Sequence, residues 1–380
     1  MLVAPIAKRQ AAAGYHVEFA SGTGEYLPDL RALGFPVTVL PVTRRLLRPS
    51  HVTTVLALYR LMSQGRFQVV HTHTPVVSFL ARIAATAARV PIVIYHMRGA
   101  WWESPDTASA VKAGFTAAEW FAGRCLRTSH IFTLNDSDTR HIIEKRIVAS
   151  GEVTCLHSGA GGVDASRFDA SAIGDDTRRR VRAELGIDAA SPVFGFVGRM
   201  VARKGILELA DAFERVAREI DSARLIMVGG LLASERDRDT LTALEQKVAA
   251  SDVLRDRVVL TGMRKDVPEL LAVCDVAVVP SRFEPFGMTM AEAGSMGLPV
   301  IAADTQGARE VIVPGSNGTI VPVGDVDALS DAMLTLARAP DLRRAQGEAG
   351  RRRVLEHFDE PVIQARIEAV YRRLLAAAGP

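Results

Sequence analysis

The chain has 380 residues, of which 48% are hydrophobic and 23% are charged, with a formal net charge of +3. This length favours two domains, and this composition excludes an intrinsically disordered or fibrous chain. Three widely spaced cysteines exclude a disulfide framework and a zinc knuckle, and no apolar stretch reaches the ~20 residues that span a bilayer, so we expect a cytoplasmic protein.

The first half of the chain predicts a series of βα units. An amphipathic helix over residues 1–13 leads through Gly14 into short β-branched runs that alternate with Ala- and Leu-rich helical stretches. This alternation is typical of parallel sheets covered by helices. The predicted strands of this half lie at 16–20, 36–40, 68–72, 91–95, 130–134 and 153–157.

The helix at 1–13 has no strand before it. In the common doubly wound order the first strand is central, so its omission leaves two buried strands facing a gap. Each unpaired backbone group in such a gap costs about 1–3 kcal/mol. We therefore predict that the natural start lies upstream, or that the opening strand has been lost.

Basic residues are concentrated in the first half. Residues 1–165 hold 17 Lys and Arg against 11 Asp and Glu, a balance of +6, which leaves −3 for the remainder. The cluster of Arg44, Arg45 and Arg48 predicts peripheral contact with anionic lipid at the inner face of a membrane, or with a phosphorylated acceptor. A solvated charged face is the alternative. We expect no nucleic-acid partner.

Two motifs of this half carry metal-ligand residue types. His71 and His73 end a strand with both rings on one face, a spacing that zinc accepts, but no third ligand is evident. A pair of cleft-lining or hydrogen-bonded histidines is therefore favoured. Asp136 and Asp138 have an Asp-x-Asp spacing that suits a divalent cation, yet they follow Asn135 and are favoured as a helix cap. We expect no metal site.

The loop after the strand at 91–95 carries residues suited to a saccharide. Trp101 and Trp102 follow Arg98, and their rings could stack on an acceptor sugar, with ordinary packing as the alternative. Together with His73, the residues Arg98 and Trp101 are our candidates for the acceptor side of a cleft.

The polar segment 164–191 predicts a linker before a second series of βα units. We place an acceptor-binding domain at 1–170, a donor-binding domain at 171–360 and a helix at 361–380 that packs back toward the first domain. Two doubly wound domains make the cleft between them the expected site. The predicted strands of this half lie at 193–197, 224–228, 257–261, 276–280, 300–303 and 319–321.

The strand at 193–197 is followed by a glycine turn that predicts an anion-binding site. Gly198 lets the backbone approach a ligand, Arg199 offers a planar fork of donors, and Lys204 offers a compact charge. Surface cations at a helix start are the alternative. Cations oppose the helix dipole there, so a bound anion is the better explanation.

A second candidate segment follows the strand at 276–280. Pro285 keeps Glu284 extended, and residues 287–289 then offer free amides at a helix N-terminus that suit a diphosphate. Glu292 lies about one turn further along the helix. The two carboxylates suit vicinal hydroxyls of a sugar and a ribose. In the simpler alternative, Glu284 is a loop charge and Glu292 complements the helix dipole.

These two segments together resemble the donor site of retaining glycosyltransferase family 4. Seven residues separate Glu284 from Glu292, after an Arg199-to-Lys204 turn, as in that family. The resemblance covers nearly the whole chain, because the segments 69–75 and 162–168 also look like landmarks of its N-terminal domain.

The resemblance implies the GT-B fold, with two Rossmann-like domains that face a central cleft. It implies that Arg199 and Lys204 neutralise the donor diphosphate, that Glu284 contacts the transferred sugar and that Glu292 contacts the ribose. It also implies that Phe286, Gly287, Met288 and Thr289 bind the phosphates through backbone amides beside Gly198. Arg199, Lys204, Glu284 and Arg98 are the expected catalytic residues, with no metal and no cofactor other than the donor substrate.

Three features depart from the family pattern. Arg98 stands where the family has a histidine near the reacting sugar, and we expect His96, two residues earlier, on the opposite face of the strand. Arg98 is therefore a candidate for binding a phosphate or an acidic sugar. Gln306 and Gly307 replace a frequent glycine pair. The third departure is the missing first strand.

The expected function is transfer of a sugar, with retention, from a nucleoside-diphosphate sugar to an acceptor hydroxyl. Polysaccharide, lipid-linked saccharide and small metabolites are the candidate acceptors, and no assured nucleophile is encoded. A sugar-nucleotide epimerase of similar fold and a nucleotide-sugar binding protein without turnover are the alternatives. A dehydrogenase is disfavoured, because no Gly-x-Gly-x-x-Gly follows a strand with an acidic residue about 20 positions later.

Overall fold

The computed structural model describes residues 3–24, 26–42, 50–100, 102, 104, 107–159, 161–188, 191–232, 235 and 237–379. The chain divides into two compact units, Met1–Gly162 with Glu360–Pro380, and Val163–Asp359. The segment 163–170, which the sequence analysis gave to the first domain, therefore lies in the second unit. Backbone bonding explains this difference, because the Val163 amide donates to the Phe358 carbonyl and the Ser295 hydroxyl donates to the Phe168 carbonyl.

The first unit is built from alternating strands and helices. In chain order these are α1 (Ala4–Ala12), β1 (Phe19–Ser21), α2 (Leu27–Arg31), β2 (Val37–Val39), α3 (Ser50–Gly65), β3 (Val69–His73), α4 (Pro75–Ala87), β4 (Ile92–His96), α5 (Ser109–Cys125), β5 (His130–Thr133), α6 (Asp136–Glu144) and β6 (Val153–Cys155). The six strands predicted from sequence are confirmed, with small shifts at their ends.

The second unit continues the alternation. It contains α7 (Asp175–Glu184), β7 (Val193–Val197), α8 (Ile206–Glu219), β8 (Arg224–Val228), α9 (Asp239–Ala250), β9 (Val258–Gly262), α10 (Val267–Leu271), β10 (Val276–Val279), α11 (Met288–Ser295), β11 (Val300–Ala303), α12 (Gln306–Val311), β12 (Gly318–Val321), α13 (Val326–Arg338) and α14 (Pro340–His357). All six predicted strands of this half are present.

The strands of the first unit form two parallel sheets. One has the order β3-β4-β5-β6 and the other is the β1-β2 pair. Among the described residues, the β1-β2 pair shares no hydrogen-bonded ladder with β3, so the sheet of this unit is split where the sequence analysis expected a gap. The two central strands of the larger sheet, β4 and β5, are buried along their whole length, as parallel strands covered on both faces must be.

The C-terminal helix α15 (Glu360–Ala378) belongs to the first unit. Its buried side chains Ile363, Ile367 and Tyr371 pack against Ile94 and Phe132 of the four-stranded sheet. The helix thereby covers one face of β4 and β5. No helix in the described part of the chain combines the length and the apolar character needed to cross a membrane.

The second unit has a six-stranded parallel sheet of order β12-β11-β10-β7-β8-β9. Chain order runs outward from β7 in one direction and from β10 in the other, so the topological switch point lies between these two paired strands. Helix α8 shows why its sequence packs here. Its apolar residues recur at helical spacing and form one buried face, which comprises Ile206, Leu209, Ala210, Ala212, Phe213, Val216 and Ala217.

Glycines allow the loops at the carboxyl edge of this sheet to touch through their backbones. Gly205 has φ +69°, and a Cβ atom there would lie 2.2 Å from the Pro280 carbonyl oxygen. A Cβ atom at Gly229 would lie 1.8 Å from the Gly198 carbonyl oxygen. Side chains at Gly205 and Gly229 would therefore push apart the loops that follow β7, β8 and β10.

We expect the Gly205→Ala variant to be less stable than the matched Gly186→Ala variant. Gly186 has a similar φ of +65° but open space around its Cβ position, so alanine there adds only the backbone strain of about 1–2 kcal/mol. At position 205 the clash with Pro280 adds about 1–3 kcal/mol more. Urea unfolding midpoints measure the difference, and equal midpoints for the two variants would contradict the close approach of these loops.

Candidate functional site

The candidate site lies at the carboxyl edge of the sheet of the second unit. Strands β7 and β10 are neighbours, with Phe194 beside Val276 and Gly195 beside Ala277. Their carboxyl ends lead directly into the loops that begin at Gly198 and Pro280. Ligands of open parallel sheets bind at such a switch point, because the loops on either side of it diverge and leave a crevice.

Arg199 is held by a carboxylate that the sequence analysis did not identify. Its Nη1 atom donates to Glu235 Oε2 at 2.6 Å, and the Arg199 side chain keeps 34% exposure. Glu235 lies in the loop after β8, 36 residues further along the chain, and no motif marks it. The contact orients the guanidinium while other donors of its fork face outward.

Lys204 and Glu284 form an ion pair. Lys204 ends a 3₁₀ turn over Ala202–Lys204, and its Nζ atom donates to Glu284 Oε2. Their side chains are only 18% and 17% exposed. The sequence analysis assigned both residues to one site on the basis of two separate motifs. The structure shows that these residues, 80 positions apart, are in direct contact. Partial burial strengthens their attraction relative to a surface pair.

The loop after β10 places the N-terminus of helix α11 at the carboxyl edge of the sheet. Gly287 adopts φ +88° and caps α11, so the amides of Met288 and Thr289 open the helix. The first amides of an α-helix have no acceptor within the helix, and they attract anions. The Phe286 side chain is 2% exposed and packs edge-on against Phe358 at 5.5 Å, which leaves only its backbone for a ligand.

Gly307 fixes the position of this loop. Its amide donates to the Glu284 carbonyl at 2.7 Å, and a Cβ atom there would lie 2.4 Å from the Phe286 carbonyl carbon. Only glycine fits at position 307, and this chain has a glycine there although the preceding residue of the usual glycine pair is Gln306. Gln306, the departure noted from sequence, is the first residue of helix α12.

Glu292 lies one helical turn after Met288 on the same face of α11. Burial raises the pKa of its carboxyl to about 7, and the more distant Arg167 guanidinium lowers it by a smaller amount. A carboxyl with this pKa is poised to ionise when hydroxyl groups of a ligand donate hydrogen bonds to it.

In the first unit, three histidines gather at the carboxyl ends of β3 and β4. The ring centroids of His71 and His73 are 4.5 Å apart, and that of His96 lies 5.6 Å from His71 and 5.4 Å from His73. Two expectations were wrong. First, His96 is a third histidine beside His71 and His73, where the sequence analysis found no third ligand. Second, His96 lies on the same face of the sheet as these two histidines, because it pairs with His73 in the β3-β4 ladder. Arg98 shares this face, since side chains two positions apart along a strand point the same way.

Arg98 contacts this cluster. Its Nε atom donates to His73 Nδ1 at 3.2 Å and its Nη1 atom donates to the Gly159 carbonyl at 2.9 Å. Burial lowers the pKa of Arg98 to about 10. Burial, with the nearby Arg98 charge, also lowers the pKa of His71 to about 3, and it holds the pKa values of His73 and His96 well below their usual range.

The other candidates of the first unit have simpler roles or lie outside the described residues. The helix start expected from sequence is present, but its cap is Asn135, which accepts from the Asp138 amide, while Asp136 and Asp138 lie in the first turn of α6. Trp102 stacks on His141 at 4.3 Å and donates to Asp138 Oδ1, so it packs within its own unit. Trp101 and the cluster Arg44, Arg45 and Arg48 are outside the described part of the chain.

Comparisons with known proteins agree with this architecture. In the crystal structure of Anabaena Alr3699/HepE in complex with UDP and glucose, the fold matches with a TM-score of 0.78 over 97% of this chain and 95% of that one, at 23% identity. The Escherichia coli UDP-Gal:alpha-D-GlcNAc-diphosphoundecaprenol alpha-1,3-galactosyltransferase is 28% identical over 313 residues, which cover 82% of this chain and 76% of that protein.

The family assignment rests on matches along both units. The D-inositol 3-phosphate glycosyltransferase of Xylanimonas cellulosilytica is 30% identical over 306 residues, which cover 78% of this chain and 69% of that protein. Residues 2–159 match the family described as Glycosyl transferase 4-like domain, and residues 177–353 match Glycosyl transferases group 1. The chain is a GT-B glycosyltransferase and belongs to the glycosyl transferases group 1 family.

Proposed function

We propose that this enzyme transfers a sugar, with retention of configuration, from a nucleoside-diphosphate sugar to an acceptor hydroxyl, and that it needs no metal ion at the diphosphate. The observation that carries this proposal is the Lys204–Glu284 pair beside the first turn of α11, at the switch point of the sheet. It puts a cation, a carboxylate and free amides together where a nucleotide would bind.

The chemistry requires a place for developing negative charge. The bond between the anomeric carbon and the diphosphate oxygen breaks, and its electron pair stays on the diphosphate. A bond forms between that carbon and the acceptor oxygen, and the acceptor hydroxyl proton passes to the leaving diphosphate oxygen. Arg199, Lys204 and the amides of Gly287, Met288 and Thr289 stabilise the leaving diphosphate. These fixed donors supply the charge that a metal ion supplies elsewhere.

The two carboxylates divide the remaining contacts. Glu284 faces the transferred sugar and orients Lys204, and Glu292 accepts hydrogen bonds from the ribose hydroxyls. The fold of Anabaena HepE, whose crystal structure contains UDP and glucose, supports UDP-sugars as the first donors to test. Gly198 and Gly307 keep the backbone close enough for these contacts.

The acceptor side belongs to the first unit. His73, Arg98 and Trp101 are its proposed residues, and a lipid-linked saccharide is the proposed acceptor class. The similarity to a galactosyltransferase that acts on a diphosphoundecaprenol-linked sugar supports this class. An enzyme of this kind works in the cytoplasm, in contact with the inner face of a membrane.

A second candidate function is nucleotide-sugar binding without turnover. Arg98 favours it, because this cation occupies the position where a histidine near the reacting sugar was expected. The discriminating assay is release of UDP from UDP-sugars with and without lipid-linked acceptors. Tight UDP binding with no release from any donor would favour the binding protein.

We expect UDP to raise the melting temperature, and Arg199→Ala or Lys204→Ala to remove most of this shift. Saturation at ~100 times the dissociation constant adds about 2.7 kcal/mol of stability, which thermal denaturation detects. Arg282→Ala is the matched control, because this cation lies in the loop of Glu284 but pairs with Glu208. Equal UDP shifts in the wild type and both site variants would reject the site, and GDP run in parallel tests the base.

We expect Glu284→Gln to separate nucleotide binding from turnover. The change frees Lys204 for phosphate, so UDP affinity stays equal or rises. Turnover of UDP-glucose falls by roughly 10²-fold, because the transferred sugar loses a positioning contact. Calorimetry and UDP-release kinetics measure the two effects, with Glu208→Gln as the control. Equal losses in UDP and UDP-glucose affinity would mean that Glu284 acts only by holding its loop.

We expect the affinity for UDP-glucose to rise with pH through the pKa of Glu292. The ribose hydroxyls favour the ionised carboxylate, so at pH 6 binding must expel a proton from a group whose pKa is about 7. Affinity at pH 6 should be about tenfold lower than at pH 8. The esterified diphosphate of this probe does not titrate in that window. In Glu292→Gln the profile should be flat, and an unchanged slope would exclude Glu292 as its source.

A further inference from the structure

Two imidazoles in the first unit, those of His71 and His96, have nitrogens that the described residues leave without a hydrogen-bond partner. His96 is completely buried, and neither Nδ1 nor Nε2 has a hydrogen-bond partner in the described structure. His71 Nε2 is likewise buried without a partner. A buried polar group without a partner destabilises a fold, and proteins keep few of them. Three such nitrogens within one cluster therefore require an explanation.

The nitrogens are close enough to share one ion. One nitrogen from each of His71, His73 and His96 can be chosen so that all three atoms lie within 4.8 Å of one another. Three nitrogens bound to one zinc ion at 2.0–2.1 Å are separated by ~3.4 Å in tetrahedral geometry, so small rotations of the rings close the site. Strand pairing holds the backbone for this, because His73 and His96 are partners in the β3-β4 ladder.

The surroundings of His71 match those of a metal ligand. His71 Nδ1 lies 2.8 Å from the Tyr371 hydroxyl oxygen, which comes from helix α15. When Nδ1 donates its proton to this oxygen, Nε2, which is buried without a partner, carries the lone pair that a metal ion requires. Metal-binding histidines usually donate their second N–H to a neighbouring oxygen, which fixes the ring and the tautomer.

A metal ion binds neutral imidazole nitrogens, and each of the three rings offers one nitrogen to a shared ion. The opposing feature is Arg98, whose Nε atom donates to His73 Nδ1 and whose charge repels a cation. Arg98 must therefore turn away from His73 when an ion enters.

We propose that His71, His73 and His96 form a zinc-binding site in the first unit, with Tyr371 orienting His71. Three histidines leave one position of a tetrahedral ion open to water or to an anionic oxygen. Arg98, beside this position, favours an anion there. The zinc site uses no residue of the proposed diphosphate site. A failed test of one site therefore leaves the other proposal unaffected.

Cobalt titration of chelator-stripped protein tests the proposal. Tetrahedral Co²⁺ absorbs strongly in the visible range, and we expect one equivalent per chain, displaced by Zn²⁺. His96→Phe should abolish the absorption. Phenylalanine fits this fully buried position beside Phe132, and no hydrogen bond of the His96 ring is lost, so the variant should keep the wild-type circular dichroism spectrum.

Two further variants make the result specific. Asp136, Cys155 and His157 form the other cluster whose ligand atoms lie close together in the described residues, so Cys155→Ser and His157→Gln are the controls and should leave cobalt binding unchanged. Arg98→Gln should tighten binding by roughly tenfold, because it removes a repelling charge. No stoichiometric binding, binding retained in His96→Phe, or binding lost in the two controls would overturn the proposal.

A thermal measurement covers the case in which His96→Phe folds poorly. Zinc should raise the melting temperature of the stripped wild-type protein, and His71→Asn should remove this shift. The unliganded variant should melt at a lower temperature but still cooperatively, because it loses the hydrogen bond to Tyr371. A zinc-induced shift of equal size in the wild type and in His71→Asn would also overturn the proposal.

Discussion

The candidate donor site depends on a contact between backbones at one edge of a parallel sheet. The loops after β7 and β10 touch where Gly205 meets the Pro280 carbonyl, and the loops after β7 and β8 touch where Gly229 meets the Gly198 carbonyl. Glycine removes the Cβ atom that would separate them. Because these loops lie so close, Lys204 on the first can reach Glu284 on the third. The ion pair is thus a consequence of backbone packing, and each loop is positioned by strands that are themselves buried.

The cations at this edge of the sheet are paired with carboxylates when no ligand is bound, and a bound anion would replace these carboxylates. Arg199 is paired with Glu235 and Lys204 with Glu284, so neither cation is left without a carboxylate. A diphosphate would offer both cations a more highly charged partner, while the amides of α11 would donate hydrogen bonds to the remaining oxygens. In the function proposed above, the carboxylates released by this exchange then bind the sugar hydroxyls. Glu292 differs, since burial keeps its carboxyl close to neutral until hydroxyl groups arrive.

The sequence was sufficient to predict the strands and the residues of the donor loops. Buried parallel strands such as Val193–Val197 are continuous apolar runs between glycine and polar loops, and this local pattern survives folding. Contacts that depend on pairing between distant segments were not predictable. Glu235 has no motif, Tyr371 reaches His71 across 300 residues, and the approach of His96 to His73 follows from the register of β3 against β4. The expectation that His96 faces away from Arg98 was wrong on simpler grounds, because residues two apart in a strand share a face.

Both units place polar side chains at the carboxyl ends of parallel strands, but they use them in opposite ways. In the second unit, the polar side chains at the strand ends pair with one another, and partial exposure lets a ligand replace those partners. In the first unit, the side chains at the ends of β3 and β4 are chemically alike. Their imidazoles do not hydrogen-bond to one another, and His96 retains two buried nitrogens without partners among the described residues. Like groups gathered in this way gain most from a common partner that accepts several lone pairs at once. A cation meets that requirement, because it takes one lone pair from each of the three rings.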